Sequence, residues 1–217
     1  ALLTEQKEFP GSYSDIFITE FKKLGGEIVL DERFAPNTTD FRSSALKLKG
    51  LGNDATFISA QGSQTMALIA QQIRDLGFEK PTLFNHAVNY QQFIKISNGY
   101  FPKDSLVVET YTDPNSPKVL EFNNKYKARY GSLVTFNMYF ITADYDIVNR
   151  FKDAATICMP NGNLDVNCVR NQFKTATSYS GVAGDVKISS EYAPASVISP
   201  LALLKIVDNK ETLVPIK

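Results

Sequence analysis

With one histidine and two cysteines in 217 residues, the chain offers no recognisable ligand spacing for a histidine or cysteine metal centre. No metal is expected. No apolar run approaches the roughly 20 residues needed to cross a bilayer, and the first residues lack the basic and apolar regions of a signal peptide. Direct membrane insertion is therefore not expected. Lys plus Arg equals Asp plus Glu at 23 each, so no net field draws the chain toward nucleic acid or an anionic surface. There is neither a G-x-G-x-x-G fingerprint nor a P-loop lysine, which argues against dinucleotide and phosphate binding. No cofactor is expected. Ser63 follows Gly62, but the surrounding AQGSQ lacks the second glycine of a nucleophile elbow, and the sole candidate base is His86. A helix cap is the better reading of Ser63.

What is present reads as an alternating α/β chain. A hydrophobic share of 43% and a charged share of 21% are those of an ordinary globular protein, long enough for one large domain or two small ones. Strand-like runs return about every 26 residues, at Leu2 to Thr4, Ile28 to Leu30, Ala55 to Ser59, Thr82 to Phe84 and Leu106 to Val108. Ala1, Leu2 and Leu3 look like the inside of a strand, so the expectation is a chain cut from a longer precursor. Between the runs lie helices. The first carries Tyr13, Ile16, Phe17, Phe21 and Leu24 on one face and stops at Gly25 and Gly26. The second opens at Thr39 or Asp40 as N-cap, the third at Ser63, with Met66, Ile69, Ile73 and Leu76 at helical spacing before Gly77. A short fourth lies around Tyr90 and Phe93. Five strands and four helices in alternation predict a doubly wound, mostly parallel sheet.

In such a sheet small ligands sit where a strand's carboxyl end meets the next helix N-terminus, which places Gln61 to Gln64 at the site. His86, just past a strand end, is in the same setting. The turn formers Asp113 to Pro117 mark a boundary, and the pattern beyond is helical: Val119, Phe122 and Tyr126 on one helix, Phe136, Phe140, Ala143, Ile147 and Phe151 on a longer one, and a short one from about Asp165 to Phe173. Asp144 and Asp146 are two apart and point different ways, so they read as a solvated face or a cap. Val186 to Ile188 and Leu201 to Val207 read as strands, and the turn at Asp208 and Asn209 before Glu211 to Val214 predicts a terminal hairpin. Cys158 and Cys168 flank a Pro, Asn, Gly turn; the spacing leaves a disulfide and two separate thiols equally open, and a bridge would place the chain in an oxidising compartment.

The stretches EFPGSYSDIFITEFKKLGGEIV, FAPNTTDFRSSALKLKG, ATFISAQGSQTMALIAQQIRDLG, FNNKYKARYG with ITADYDIV, and SYSGVAGDVKIS, in that order, resemble the type 1 periplasmic binding proteins. These are solute receptors of ABC transporters, typified by branched-chain amino-acid receptors. The resemblance covers nearly the whole chain. It implies a second-lobe α/β sheet at 1–112, a mainly helical returning part of an incomplete first lobe at 113–195, whose apolar helix faces would be exposed, and terminal strands at 196–217 rejoining the second lobe. It implies a periplasmic or cell-surface receptor, not an enzyme, that captures a small polar solute between two lobes for an ABC transporter permease. A ligand-sensing domain feeding a signalling partner is the alternative, and a doubly wound enzyme a third. Carried over by position, the second lobe's contacts fall at Glu8 or Phe9, at Gln61, Gly62 and Ser63, and at Asn85, His86 and Ala87. Amino-acid receptors place a carboxylate in that last loop to meet the ligand's ammonium; here Ala87 occupies the place, so the resemblance leaves the ligand open.

Overall fold

The computed structural model describes residues 1–85, 88–134, 138–189, 196–198, 201–207 and 210–214. The chain divides into two compact units, one of residues 1–109 and 202–217, the other of residues 110–201.

The first unit is built on a seven-stranded sheet. Strands β1 (Leu2–Glu5), β2 (Asp31–Phe34), β3 (Thr56–Ser59), β4 (Thr82–Phe84) and β5 (Leu106–Thr110) alternate with helices α1 (Glu8–Lys23), α2 (Arg42–Leu51), α3 (Ser63–Asp75) and α4 (Tyr90–Ile96). The strands run parallel in the order β5-β4-β3-β1-β2, the doubly wound arrangement that the alternation predicts. Strands β9 (Leu201–Val207) and β10 (Lys210–Val214) form an antiparallel hairpin beside β5. The expected terminal hairpin is thus present, with its turn residues Asp208 and Asn209 outside the described residues.

Leu3, Ile58, Phe84 and Val107 from four successive strands form one buried row against Ala45 and Leu48 of α2, Met66, Ile69 and Ile73 of α3 and Phe93 of α4. Burying a leucine or phenylalanine side chain of this size is worth about 1.5–3 kcal/mol each.

Several local expectations need correction. The second strand is Asp31–Phe34, not Ile28 to Leu30; the Leu30 carbonyl still accepts from the Leu2 amide at 2.8 Å, and the strand continues from there. At the sheet edge β2 needs no apolar alternation, so its polar residues Asp31, Glu32 and Arg33 hid it. On α1 the expected apolar face is only partly used. Phe17 packs on Phe57 with ring centroids 4.5 Å apart, but Ile16, Phe21 and Leu24 are exposed and the buried positions are Pro10 and Ser14. The α2 N-cap is Phe41, whose amide donates to Gln72 Oε1 at 2.6 Å; Asp40 accepts instead from the Arg42 amide. Ser63 is not the N-cap of α3; Gly62 is, and Ser63 is its first residue.

The second unit contains α5 (Pro117–Tyr130), α6 (Met138–Ile157), α7 (Val166–Thr175) and a three-stranded antiparallel sheet of β6 (Ser178–Ser180), β7 (Asp185–Ser189) and β8 (Ser196–Ile198). The helices follow the expected pattern, but β6 and β8 were not foreseen, because three-residue strands carry too little periodicity to register. Phe122 of α5 meets Tyr145 of α6 edge-on at 5.1 Å. Phe140, Ile147 and Phe151 of α6 are exposed, and Phe136 lies outside the described residues.

Asp146 is neither solvated nor a helix cap. Its buried carboxylate accepts the Val182 and Ala183 amides at 2.9 and 2.8 Å and so fixes the turn between β6 and β7, while Asp144 is exposed.

Cys158 and Cys168 are bridged, which closes the end of α6 onto α7. The buried residues there are only Ala154, Cys158 and Val169. Closing so short a loop is worth roughly 2–3 kcal/mol, so Cys158→Ser with Cys168→Ser is expected to lower stability by that amount. Denaturation of the double variant checks it; an unchanged midpoint would show that α7 holds without the bridge.

Candidate functional site

The carboxyl edge of the parallel sheet is where β1, β3 and β4 hand over to α1, α3 and α4, and buried polar side chains tie these three turns together. Glu5, the last residue of β1, is 2% exposed. One carboxylate oxygen accepts the Gln61 amide at 2.7 Å; the other pairs with Lys7 Nζ at 2.8 Å. Asn85, immediately after β4, is fully buried, and its side chain spans Ala60: Oδ1 accepts the Ala60 amide and Nδ2 donates to the Ala60 carbonyl, both at 3.2 Å. Ser59 Oγ donates to the Pro10 carbonyl at 3.0 Å, and the Thr4 and Ser14 hydroxyls meet at 2.7 Å, joining α1 to β3 and β1. Ser63 Oγ accepts the Asn89 amide at 2.5 Å, which links the start of α3 to the N-cap of α4. Buried polar groups without partners cost about 1–3 kcal/mol each, so such a stitched set specifies one loop geometry.

The loop held in this way presents its outer side to open space. Gly62 has φ −166° and ψ 165°, an extended backbone that any residue adopts, and a Cβ built on it meets nothing within 4 Å among the described residues. Gln61 beside it is exposed. Glu8 and Phe9 lie in the first turn of α1; Glu8 is exposed there, where a carboxylate also suits the helix dipole. The Phe9 ring lies 5.1 Å from that of Tyr13. Burial pushes the Tyr13 hydroxyl above its usual pKa, and the charge of Glu109 adds to the effect. Glu109 itself is buried near the carboxyl end of β5.

Of the sequence-predicted site residues, Gln61 and Gly62 therefore lie on the loop between β3 and α3 and Ser63 opens α3, the loop being joined to the end of β1 by Glu5 and to the end of β4 by Asn85. The side chain of Asn85 faces the backbone of Ala60, and that of Ser63 is buried with it. His86 and Ala87 lie outside the described residues. Sequence reading missed Glu5, Thr4, Ser59 and Glu109. Their signal was a polar or charged residue closing an apolar strand, as in LLTE and LVVET, where a merely buried strand would have stayed apolar.

A profile of the family described as periplasmic binding protein matches residues 1–211. No curated protein sequence matches the chain. Among solved structures, a leucine-binding protein from Thermotoga maritima is similar with a TM-score of 0.77 at 21% identity, over 99% of this chain and 59% of its own. The substrate-binding protein of a branched-chain amino acid transporter from Streptococcus pneumoniae, solved with isoleucine, gives a TM-score of 0.73 at 20% identity over 98% and 59%. A type 1 periplasmic binding protein from Bordetella pertussis gives 0.78 at 17% identity over 99% and 60%. The chain thus spans about three-fifths of the length of these structures. On the profile match and the sheet order, the chain belongs to the periplasmic binding protein family and has the type 1 fold.

Proposed function

We propose that this chain is the solute-binding part of a periplasmic or cell-surface receptor that captures a small polar molecule and delivers it to an ABC transporter permease. The observation that carries the reading is the Ala60–Ser63 loop, clamped from behind by Glu5 and Asn85 while Gly62 and Gln61 face open space. A loop fixed before the ligand arrives loses little entropy on binding. Gln61, Gly62, Phe9 and Glu8 are the contacts proposed here, with His86 and Ala87 added on their place in the sequence alone; Ser63 and Asn85 serve by holding the loop.

Binding fits this edge better than catalysis. The Ser63 hydroxyl is buried and engaged with the Asn89 amide, so it is not presented as a nucleophile. The bridged Cys158–Cys168 pair supports an oxidising, extracytoplasmic location.

The test uses the full-length natural protein in a thermal-shift panel of amino acids, sugars, carboxylates and aromatic acids. A true solute at a hundredfold excess over its dissociation constant stabilises by about 2.7 kcal/mol. Gly62→Leu is then decisive. The unliganded variant should keep its stability within about 1 kcal/mol, because the extended backbone accepts a side chain and the main cost is a poorer N-cap residue for α3. Affinity for the solute should fall at least about a hundredfold, since the new side chain fills the proposed contact surface. Undiminished binding by Gly62→Leu would place the site elsewhere, and no shift with any member of the panel would count against solute capture.

A further inference from the structure

Helix α3 begins at Ser63 behind a glycine N-cap that has no side chain to satisfy the helix amides. The positive end of a 13-residue helix at the carboxyl edge of a parallel sheet is a setting that ordinarily favours an anion. In this chain a carboxylate of the protein is already there. Glu5 reaches across from β1 and takes the Gln61 amide at 2.7 Å, one residue before the cap, from a position that is 2% exposed. We propose that Glu5 is a specificity-determining residue that makes the site reject anionic solutes and accept neutral or cationic ones, an inference that rests on the receptor reading above.

The surrounding charges point the same way. Lys7 is the cation of the β1–α1 turn, and it is committed to the second Glu5 oxygen at 2.8 Å. Glu8 is exposed in that turn, and Glu109 is buried near the end of β5, close enough for its charge to act on the Tyr13 hydroxyl. Among the described residues of the β1–α1 turn, two carboxylates, Glu5 and Glu8, stand against one ammonium, Lys7, which leaves that turn negative. An anion arriving here meets a helix end whose charge is already compensated, and it loses its hydration against buried carboxylates of like sign. A neutral amide or hydroxyl, or a protonated amine, meets no such opposition and finds carboxylate and carbonyl oxygens as acceptors.

The inference separates from the receptor reading because inorganic sulfate probes the charge of the loop without any knowledge of the natural solute. Sulfate is titrated to low millimolar concentrations into wild type, Glu5→Gln and Glu5→Ala at constant ionic strength, with hydrogen exchange read at Gln61 and Gly62. Wild type should show no saturable sulfate effect on melting temperature or on those amides. Glu5→Gln keeps an acceptor for the Gln61 amide but frees the Lys7 charge, so it should acquire saturable sulfate binding at this loop; Glu5→Ala should do the same and serves where Gln61 protection must be removed as well. In parallel, benzamide, benzylamine and benzoate are compared as one skeleton with three charges. Wild type should bind the amide and the amine at least about fivefold more tightly than the carboxylate, and Glu5→Gln should erase or reverse that order. Saturable sulfate binding by wild type at Gln61 and Gly62 would overturn the inference, as would an unchanged probe ranking in Glu5→Gln. If sulfate behaves as expected while neither the probes nor the wider solute panel binds, the assignment of charge to Glu5 stands and the receptor reading is what fails.

Discussion

Gly181→Ala is expected to destabilise the unit of residues 110–201 by about 3–5 kcal/mol. A Cβ at this position would overlap the Asp146 carboxylate and the Tyr179 ring. The backbone of Gly181 is itself held, its amide donating to the Gly184 carbonyl at 3.1 Å, so the carboxylate is what must move. Displacing it breaks two charge-assisted bonds, from the Val182 and Ala183 amides, each worth about 1.5–3 kcal/mol. The glycine is thus required by close approach and not by an unusual φ. Asp146→Asn should cost less, about 1–2 kcal/mol, because its amide oxygen still accepts one of the two N–H groups. In the double variant Gly181→Ala with Asp146→Ala the overlap with the carboxylate is gone and only that with the Tyr179 ring remains, so the combined loss should fall short of the sum of the single losses. Denaturant titration with hydrogen exchange at Val182 and Ala183 measures both; full protection of those amides in Gly181→Ala would sink the account.

Asp146 also shows where a sequence stops being informative. That two acids two apart on a helix must diverge was legible from helix geometry alone, and Asp144 and Asp146 do diverge. Which of them is buried depends on a turn about 36 residues away, and no local pattern encodes it. The parallel sheet, by contrast, was readable because each buried strand is an apolar run of a few residues followed by a helix with a clear stop. The reading failed where a strand has no need of a buried face, as at β2, and where a helix leaves apolar residues in solvent, as Ile16 and Leu24 do on α1. For the site, the position of the Gln61–Ser63 loop followed from strand and helix boundaries. The division of labour within it did not, because Glu5 lies 56 residues from the amide it holds, and Asn85 lies 25 from Ala60.

That division can be measured at Asn85. Asn85→Ala is expected to cost about 2–4 kcal/mol of stability, because it leaves the Ala60 amide and carbonyl without partners in a buried setting where each such group costs about 1–3 kcal/mol. Asn85→Asp does not rescue it: a carboxylate accepts the Ala60 amide but opposes the Ala60 carbonyl and buries a charge. Solute affinity should fall in both variants, by roughly tenfold or more, because the loop is then no longer held in its binding geometry. The sequence position alone suggests a direct ligand contact, and the two roles predict different observables. A contact residue, when removed, weakens binding and leaves the unliganded loop as protected as before, which is the behaviour expected of Gly62→Leu. A residue that positions the loop raises hydrogen exchange at Ala60 and Gln61 before any solute is added. Rapid exchange at Ala60 in unliganded Asn85→Ala, beside unchanged exchange in Gly62→Leu, would separate the group that holds the loop from the surface that meets the ligand; unchanged exchange at Ala60 would return Asn85 to the list of direct contacts.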